Sequence, residues 1–389
     1  MTSIREAVRR YFQKASPLAP GNYSYISPPE DPRNYRLHLR IEPDGNGLLL
    51  INAATVLHLN QTATEFAYHL VTRTPLEVAL QQLSKRYRAP KEQIQLDYDQ
   101  FIQRIQTIIE TPDLDPETFL DFEPTLPYLK TITAPYRLDC ALTYRLPEGI
   151  DPSFAPTKRV DRELTTEEWK QILKTAWDAG IPHVTFTGGE PTLRSDLPEL
   201  IAYAESLGQV TGLLSDGFRF SDLEYLDQIL KTGIDHLLIV FQPEKELSWG
   251  GLNSALAEDL FVAAHLTLTP KTAQNANQML DYLQKQGVKA ISLSAVNLSL
   301  SEQLTAARNH AAEIGLDLIW NLPVPYSSIN PIALELQEHG TTSGAGRAWL
   351  YVEPDGDVLP AQGTDIVLGN LLRDTWDKVW AKAKEFSQD

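Results

Sequence analysis

FTGGEPTLRSDLPEL, residues 186–200, is the most informative segment of this chain. It begins within an apolar strand pattern, HVTFT, and leads into a helical pattern, so it predicts a junction between a β-strand and an α-helix. Gly188 and Gly189 would let a ligand approach the main chain closely, and Glu190 offers a carboxylate to a ligand ammonium. We therefore predict a ligand site at the end of this strand.

Strands and helices alternate on both sides of this junction. From Tyr136 onward their spacing is about 25 residues, which predicts βα units on a parallel sheet. The helix pattern before the junction carries a capping box, Thr165 with Glu168, and a stop signal, Gly180. Since the chain has no GxGxxG fingerprint, we predict a barrel rather than a dinucleotide fold. The predicted strands are RLDCALTY, HVTFT, VTGLL, HLLIVF, AHLTLT, AISLSAV and LDLIW.

The predicted fold class is therefore α/β: a partial (β/α) TIM-type barrel, with a small N-terminal domain and a C-terminal extension. The Pro, Gly and Ser density of SPLAPGNYSYISPPEDPRN predicts no regular element in that segment. We place an N-terminal helix and linker at 1–34, a winged-helix-like domain at 35–110, a linker at 111–135, the barrel at 136–322 and the extension at 323–389.

The winged-helix-like domain is predicted from three short strands followed by helices at Thr62 to Val71, Leu76 to Tyr87 and Tyr98 to Ile109. Thr62 and Glu65 match a capping box for the first of these helices. The extension is predicted to end in a helix, DTWDKVWAKAKEF.

Composition excludes several function classes. The formal charge of −17 disfavours nucleic acid as a partner, and no apolar run is long enough for a membrane helix. We therefore expect no nucleic acid, no membrane and a cytoplasmic location. Cys140 is the only cysteine, so one chain cannot assemble a cysteine-ligated cluster or a disulfide. The histidines show no metal-ligand spacing, so we predict no metal site.

The string TGGEPTLR resembles the GGEP motif of radical S-adenosylmethionine (radical SAM) enzymes. The resemblance implies that this motif faces the methionyl end of S-adenosylmethionine and grips its amino group. It also implies that LLSDGFRFSD matches a second contact segment of the cofactor. The candidate cofactor-binding residues are Gly188, Gly189, Glu190, Pro191, Ser215 and Asp216, and no catalytic residue is assigned.

The chain departs from the family at the cluster loop. That family places CxxxCxxC after the first barrel strand, whereas Leu146, Ile150 and Ser153 occupy the three cysteine positions here. Aliphatic side chains cannot ligate iron. We therefore expect no cofactor and no iron–sulfur cluster, with S-adenosylmethionine left as a ligand that the barrel mouth could still bind.

Both ends of the chain extend the resemblance. Residues 35–110 resemble the PqqD-like element that recognises peptides next to radical SAM enzymes. The C-terminal WLYVEPDGDVLPAQG resembles a SPASM-type extension, but Ser327, Ser343 and Ala361 stand where cluster cysteines would be expected. The resemblance implies a peptide or protein partner, with an active radical SAM paralogue as one candidate.

Three hypotheses follow. The first is a cluster-free homologue, a pseudoenzyme that acts as a peptide- or protein-binding scaffold or partner in peptide modification. The alternative is an enzyme that keeps an S-adenosylmethionine or nucleotide site at the barrel mouth and works without a cluster. The third is a structural subunit of a larger complex. The missing thiolates favour the first.

Overall fold

The computed structural model describes residues 16–28, 30–33, 35–52, 55–111, 132–148, 160–319 and 344–386. The chain divides into two compact units, Met1–Thr133 and Ala134–Asp389, called here the N-terminal and C-terminal units. The predicted N-terminal helix lies outside the described residues, as do Ile150, Ser153, Ser327 and Ser343.

The N-terminal unit contains a four-stranded antiparallel sheet in the order β1-β2-β3-β4. The prediction of no regular element in SPLAPGNYSYISPPEDPRN is wrong, because β1 lies within it and pairs along its whole length with β2. Tyr23 and Tyr25 pack against the apolar core of this unit, and that packing stabilises β1 despite its flanking prolines. The strands are β1 Gly21–Ile26, β2 Arg36–Ile41, β3 Gly47–Ile51 and β4 Thr55–Leu59.

Three helices complete the N-terminal unit: α1 Gln61–Val71, α2 Leu76–Arg86 and α3 Lys91–Glu110. The capping box predicted at Thr62 and Glu65 is wrong. Asn60 caps α1 instead, its side chain accepting from the Ala63 N–H at 3.0 Å. Glu65 is buried and pairs with Arg86, which donates two hydrogen bonds of 2.7 and 2.8 Å.

The C-terminal unit is organised around a ten-stranded sheet in the order β11-β10-β9-β8-β7-β6-β5-β12-β13-β14. The run from β11 through β12 is parallel, and the last three strands pair antiparallel. The strands are β5 Arg137–Thr143, β6 His183–Gly188, β7 Val210–Ser215, β8 His236–Phe241, β9 Phe261–Leu268, β10 Ala290–Ala295, β11 Asp317–Leu318, β12 Trp349–Val352, β13 Asp357–Leu359 and β14 Gly369–Asn370.

Helices alternate with the parallel strands as predicted. The capping box of the first helix, α4, is confirmed, with Thr165 and Glu168 satisfying each other's backbone N–H groups. Gly180 follows this helix with φ 87°, a conformation that favours glycine and ends helices. The architecture is a partial (β/α) barrel, since the described strands do not close into a ring. The helices are α4 Thr166–Asp178, α5 Leu197–Leu207, α6 Leu223–Leu230, α7 Glu246–Leu256, α8 Ala276–Lys285, α9 Ser301–Glu313 and α10 Trp376–Phe386.

The two faces of this sheet differ in chemistry. Residues paired in register on neighbouring parallel strands share a face, and one face is mostly apolar, with Cys140 and Phe186 fully buried in it. The other face carries polar groups, and His265 on it contacts the hydroxyls of Ser292 and Ser294, each at 2.9 Å. The polar members of this face are Arg137, Asp139, His183, Thr185, Thr187, His236, His265, Thr267, Ser292 and Ser294.

The helices also bear on membrane insertion. Among those that the structure describes, none is both long enough and apolar enough to cross a bilayer.

The α4 cap generates a stability prediction. Thr165→Ala removes the side-chain acceptor for the Glu168 N–H, so the free energy of unfolding should fall by about 1 kcal/mol. Urea denaturation followed by circular dichroism measures the change. Gln171→Ala, an exposed position inside the same helix, is the matched control and should cost nothing measurable. Equal stability of the two variants would contradict the role of the cap.

Candidate functional site

Glu190 lies where β6 ends, and its carboxylate links the ends of two strands. Oε1 accepts from the Thr192 N–H and from the Ser215 hydroxyl, both at 2.9 Å. Oε2 accepts from the Asp216 N–H at 2.7 Å. Only 2 % of Glu190 is exposed, so these three donors replace the water that a buried carboxylate loses. Three of the predicted site residues, Glu190, Ser215 and Asp216, are therefore brought together.

Gly188 and Gly189 are approached by the chain's own backbone. A Cβ on Gly188 would lie 2.2 Å from the Thr143 carbonyl oxygen, and one on Gly189 would lie 2.2 Å from that of Arg145. The same carbonyls accept from the N–H groups of Gly189, at 2.6 Å, and of Glu190, at 2.8 Å. Both glycines are thus needed to seat the segment that follows β5.

Asp216 faces Glu190 from the end of β7. Its Oδ1 accepts from the Phe218 N–H at 2.9 Å, and its backbone N–H donates to Glu190 Oε2 at 2.7 Å. Burial, together with the negative charge of Glu190, raises the pKa of Asp216 to about 8. The Asp216 side chain is therefore protonated in neutral solution.

These carboxyl groups line a cavity of about 430 Å³, a volume in the range of small-molecule sites. Acidic, basic and apolar side chains all reach it. They follow the carboxyl ends of β5, β6, β7 and β8, where barrels of this class place their sites. The lining residues are Pro147, Glu148, Glu190, Thr192, Leu193, Asp216, Phe218, Arg219, Lys245, Glu246 and Leu247.

Pro191 is the remaining predicted site residue. It begins the 3₁₀ turn Pro191–Leu193, directly after Glu190. Its ring suits the first position of such a turn, because proline has no N–H to leave unsatisfied there. Pro191 therefore shapes the turn and does not line the cavity.

Several groups at this site were not predicted. The Arg219 guanidinium lies 3.6 Å from the ring centre of Tyr225, and it donates to the Thr192 carbonyl at 2.5 Å. The hydroxyls of Thr192 and Tyr225 are buried and have no hydrogen-bond partner among the described residues. Lys245 adds a second cation at the rim. Thr192, Arg219 and Lys245 lie a few residues beyond predicted strand ends, and that position was the signal that could have found them.

Arg194 supports the site without lining it. Its guanidinium pairs with Asp196 through two hydrogen bonds of 2.9 and 2.7 Å. It also donates to the carbonyls of Leu142, at 3.2 Å, and Leu164, at 3.0 Å. These bonds connect β5 with the residues just before α4, so Arg194 is a structural residue of the barrel mouth.

The residues present do not fit a cysteine-bound cluster. Cys140 is fully buried inside β5, and burial raises the pKa of its thiol, so it offers no thiolate to the barrel mouth. Leu146 stands at the first ligand position, and Ala361 follows Pro360 in the C-terminal segment. No step of the chemistry proposed below depends on a cluster.

A group of three carboxylates lies outside this site. Oxygens of Glu353, Asp355 and Asp357 fall within 4.8 Å of one another. Asp355 accepts from the Asp357 N–H at 3.1 Å, and Asp357 accepts from the Asn370 amide at 2.8 Å. The first bond closes the turn between β12 and β13 and the second joins β13 to β14, so both are structural and we assign no metal to the group.

Comparison with known proteins places the chain among its relatives. A family model described as the radical SAM superfamily matches residues 140–242. "PqqA peptide cyclase" of Granulibacter bethesdensis is 28% identical over 269 residues, which cover 62% of this chain and 71% of that protein. "PqqA peptide cyclase" of Rhizobium meliloti is 26% identical over 296 residues, covering 67% of this chain and 77% of the relative.

Solved structures share the fold at low identity. Streptococcus suis SuiB bound to its precursor peptide SuiA superposes with a TM-score of 0.60 at 14% identity, covering 92% of this chain and 88% of SuiB. SuiB bound to S-adenosylmethionine gives a TM-score of 0.57 at 13% identity, with the same coverage.

These findings correct one prediction. The expectation that the protein takes no cofactor is wrong, because the matching family is defined by S-adenosylmethionine and a solved protein of this fold is bound to it. Cysteine-ligated clusters are also a property of such relatives, but a cluster is not shown for this chain, which has a single cysteine.

The Asp216 carboxyl generates a pH prediction. Its pKa is near 3.8 when unfolded and about 8 when folded, so between those values the unfolded chain loses the proton first. The free energy of unfolding should therefore fall as pH rises from about 4 to about 8. Asp216→Asn removes this loss, so its stability relative to wild type should rise by more than about 2 kcal/mol between about pH 5 and about pH 8.

Urea denaturation at the two pH values measures the difference. Asp227→Asn, an exposed carboxylate on α6, is the matched control and should follow wild type. Parallel pH profiles for wild type and Asp216→Asn would contradict the buried, protonated state.

Motif, domain and fold agree on the family. The TGGEPTLR motif lies at the end of a parallel strand, the family model covers the strands on both sides of it, and SuiB shares the fold. Residues 140–242 of this chain therefore match the radical SAM superfamily, and the whole chain has a single cysteine.

Proposed function

We propose that this protein is a peptide-binding member of the radical SAM superfamily that serves as a scaffold or partner in peptide modification. In this proposal the N-terminal unit holds a peptide and the cavity of the C-terminal unit binds S-adenosylmethionine. The observation that carries it is that this chain shares its fold with a peptide-bound protein. This chain also has a cavity at its barrel mouth, and it has only one cysteine.

An edge strand of the N-terminal sheet supports peptide binding. In the part of the N-terminal unit that the structure describes, β4 pairs with β3 on one side only. An extended peptide can add to such an edge through backbone hydrogen bonds. The opposite edge, β1, is flanked by Pro20 and Pro28, which donate no backbone hydrogen bond and protect an edge from strand addition. We therefore assign the peptide to β4.

The relatives support the same class of partner. SuiB is solved with its precursor peptide, and the curated relatives are named as cyclases of a peptide. The PqqD-like character of residues 35–110 belongs to this proposal, as does the SPASM-like character of the C-terminal segment.

The cavity supports S-adenosylmethionine as its ligand. A buried carboxylate, Glu190, offers a partner for the ligand ammonium, and Arg219 and Lys245 offer partners for its carboxylate. Phe218 and Leu247 supply apolar surface for the nucleoside. When bound, S-adenosylmethionine supplies a sulfonium centre, and the residues described here bind and orient it.

The missing thiolates support a scaffold role over radical chemistry. A site-differentiated cluster needs three thiolates, and Cys140 is the only cysteine in the chain. Anaerobic reconstitution with iron and sulfide, followed by iron analysis, tests this part of the proposal. We expect substoichiometric iron and no cluster spectrum, and one cluster per chain would refute the pseudoenzyme assignment.

A second candidate function rests on Asp216. A protonated carboxyl group beside a carboxylate in a cavity is an arrangement that acid–base catalysis uses, which favours an enzyme that works without a cluster. Turnover of S-adenosylmethionine by the purified protein, followed by chromatography, distinguishes this candidate. A non-radical enzyme would release products that Asp216→Asn abolishes.

The peptide proposal predicts a localised protection pattern. Peptides are first selected from a random display library on the immobilised protein. Binding of such a peptide should slow amide exchange in Thr55–Leu59, because β4 gains a partner strand. Hydrogen–deuterium exchange with mass spectrometry measures it, and Gly21–Ile26 on the other edge is the internal control. Protection at β1, or at neither edge, would overturn the assignment.

The cavity proposal predicts a charge-specific loss of affinity. Glu190→Gln removes the carboxylate, so the Kd for S-adenosylmethionine should rise at least about tenfold in isothermal titration calorimetry. Glu224→Gln, an exposed position on α6, is the matched control and should bind like wild type. Circular dichroism checks that both variants are folded. Absence of binding to wild type would exclude this ligand.

A further inference from the structure

We propose that ligand binding in this cavity is coupled to proton release: the ligand's ammonium group replaces a proton held by the buried pair of carboxyl groups, Glu190 and Asp216. The inference rests on the proposed S-adenosylmethionine site and deepens it. It assigns Asp216 as the residue that makes the site selective for cationic ligands.

Geometry places two buried carboxyl groups next to each other. Both residues are buried and line the same cavity, and the Asp216 backbone N–H donates to Glu190 Oε2 at 2.7 Å. Two buried negative charges this close repel strongly, so one of the two groups holds a proton. Backbone N–H groups of Asp216 and Phe218 hold the two carboxyl groups in place.

Two unsatisfied hydroxyls indicate that a polar ligand completes the site. Thr192 lines the cavity, is fully buried, and its Oγ1 has no partner among the described residues. The Tyr225 hydroxyl is also buried and unpartnered there, and its ring centre lies 3.6 Å from the guanidinium of Arg219, which lines the cavity. Buried polar atoms are rarely left without partners, so a ligand group is expected to meet them.

The charges around the pair do not favour a cation by themselves. Glu148 and Glu246 reach the cavity from the segment after β5 and from α7. Arg219 and Lys245 reach it from the turn after β7 and the segment after β8. These two acidic and two basic groups offset one another at the rim. The ionisation of Asp216 therefore decides whether the buried end of the cavity carries one negative charge or two.

The exchange balances in atoms and charge. Before binding, Glu190 carries one negative charge and Asp216 holds the proton. A primary ammonium then enters, the O–H bond of Asp216 breaks, and its proton passes to solvent. After binding, two carboxylates hold one ammonium, which can donate three hydrogen bonds in place of one. The ligand keeps all its protons, and about one proton is released for each ligand bound.

Calorimetry with the full-length protein tests the coupling. S-adenosylhomocysteine carries the ammonium, whereas 5′-methylthioadenosine shares the nucleoside and lacks it. Titrations near pH 7 in two buffers of different ionisation enthalpy count the protons released. We expect about one proton for S-adenosylhomocysteine and none for 5′-methylthioadenosine. The affinity of the first ligand should rise about tenfold per pH unit below about pH 8.

Variants separate Asp216 from other sources of protons. Asp216→Asn can donate to Glu190 but has no proton to release, so buffer dependence should vanish for S-adenosylhomocysteine. Asp227→Asn is the matched control and should release the same number of protons as wild type. Binding by wild type without proton release, or with proton uptake, would overturn the inference while leaving the S-adenosylmethionine site intact.

A second measurement keeps the inference falsifiable if neither nucleoside binds. The carboxyl ¹³C resonance of Asp216, assigned by its loss in Asp216→Asn, reports the titration of that group directly. Ethylammonium chloride should lower the titration midpoint relative to sodium chloride at equal ionic strength. An unchanged midpoint would overturn the inference, whereas failure of both nucleosides alone would count only against the proposed ligand.

Discussion

The barrel mouth depends on one buried carboxylate. Glu190 accepts from Thr192 on its own turn and from Ser215 and Asp216 on the neighbouring strand end. A buried carboxylate without such donors would be strongly destabilising, so these bonds fix the ends of β6 and β7 against each other. The shape of the cavity and the orientation of Asp216 both follow from this arrangement.

The same mouth keeps its shape in a chain without cluster ligands. Thr143 and Arg145 seat against the glycine pair through backbone hydrogen bonds, and Arg194 ties β5 to the start of α4. Glu163 accepts hydrogen bonds from Thr143 and Arg145, next to the position of Leu146. Ionic and backbone contacts therefore hold the described ends of the cluster-loop segment.

The N-terminal unit shows how tertiary contacts change a local expectation. The sequence around β1 is rich in proline and glycine, and yet its tyrosines pack on the core while its backbone pairs with β2. The predicted α1 capping box is wrong for a similar reason. Asn60 accepts from a backbone N–H at the start of the helix, and Glu65 pairs with Arg86, which is distant in sequence. Because β1 covers β2, the two edges of the sheet are β1 and β4. Prolines flank β1, so the proposed function assigns the peptide to β4.

Local pattern and residue type were enough to predict the alternation of strands and helices, the α4 capping box, the family motif and the lack of cysteine ligands. Each of these depends on neighbours within a few residues or on composition alone. The contact of Asp216 with Glu190, 26 residues away, and the filling of the glycine pair by the chain's own carbonyls depend on the folded arrangement of three strands. So does the protonation of Asp216, since its pKa rises to about 8 only because burial and a neighbouring charge act together. Three-dimensional packing decides which groups are buried together and lose water. That set of groups cannot be read from local sequence pattern, because its members lie far apart along the chain.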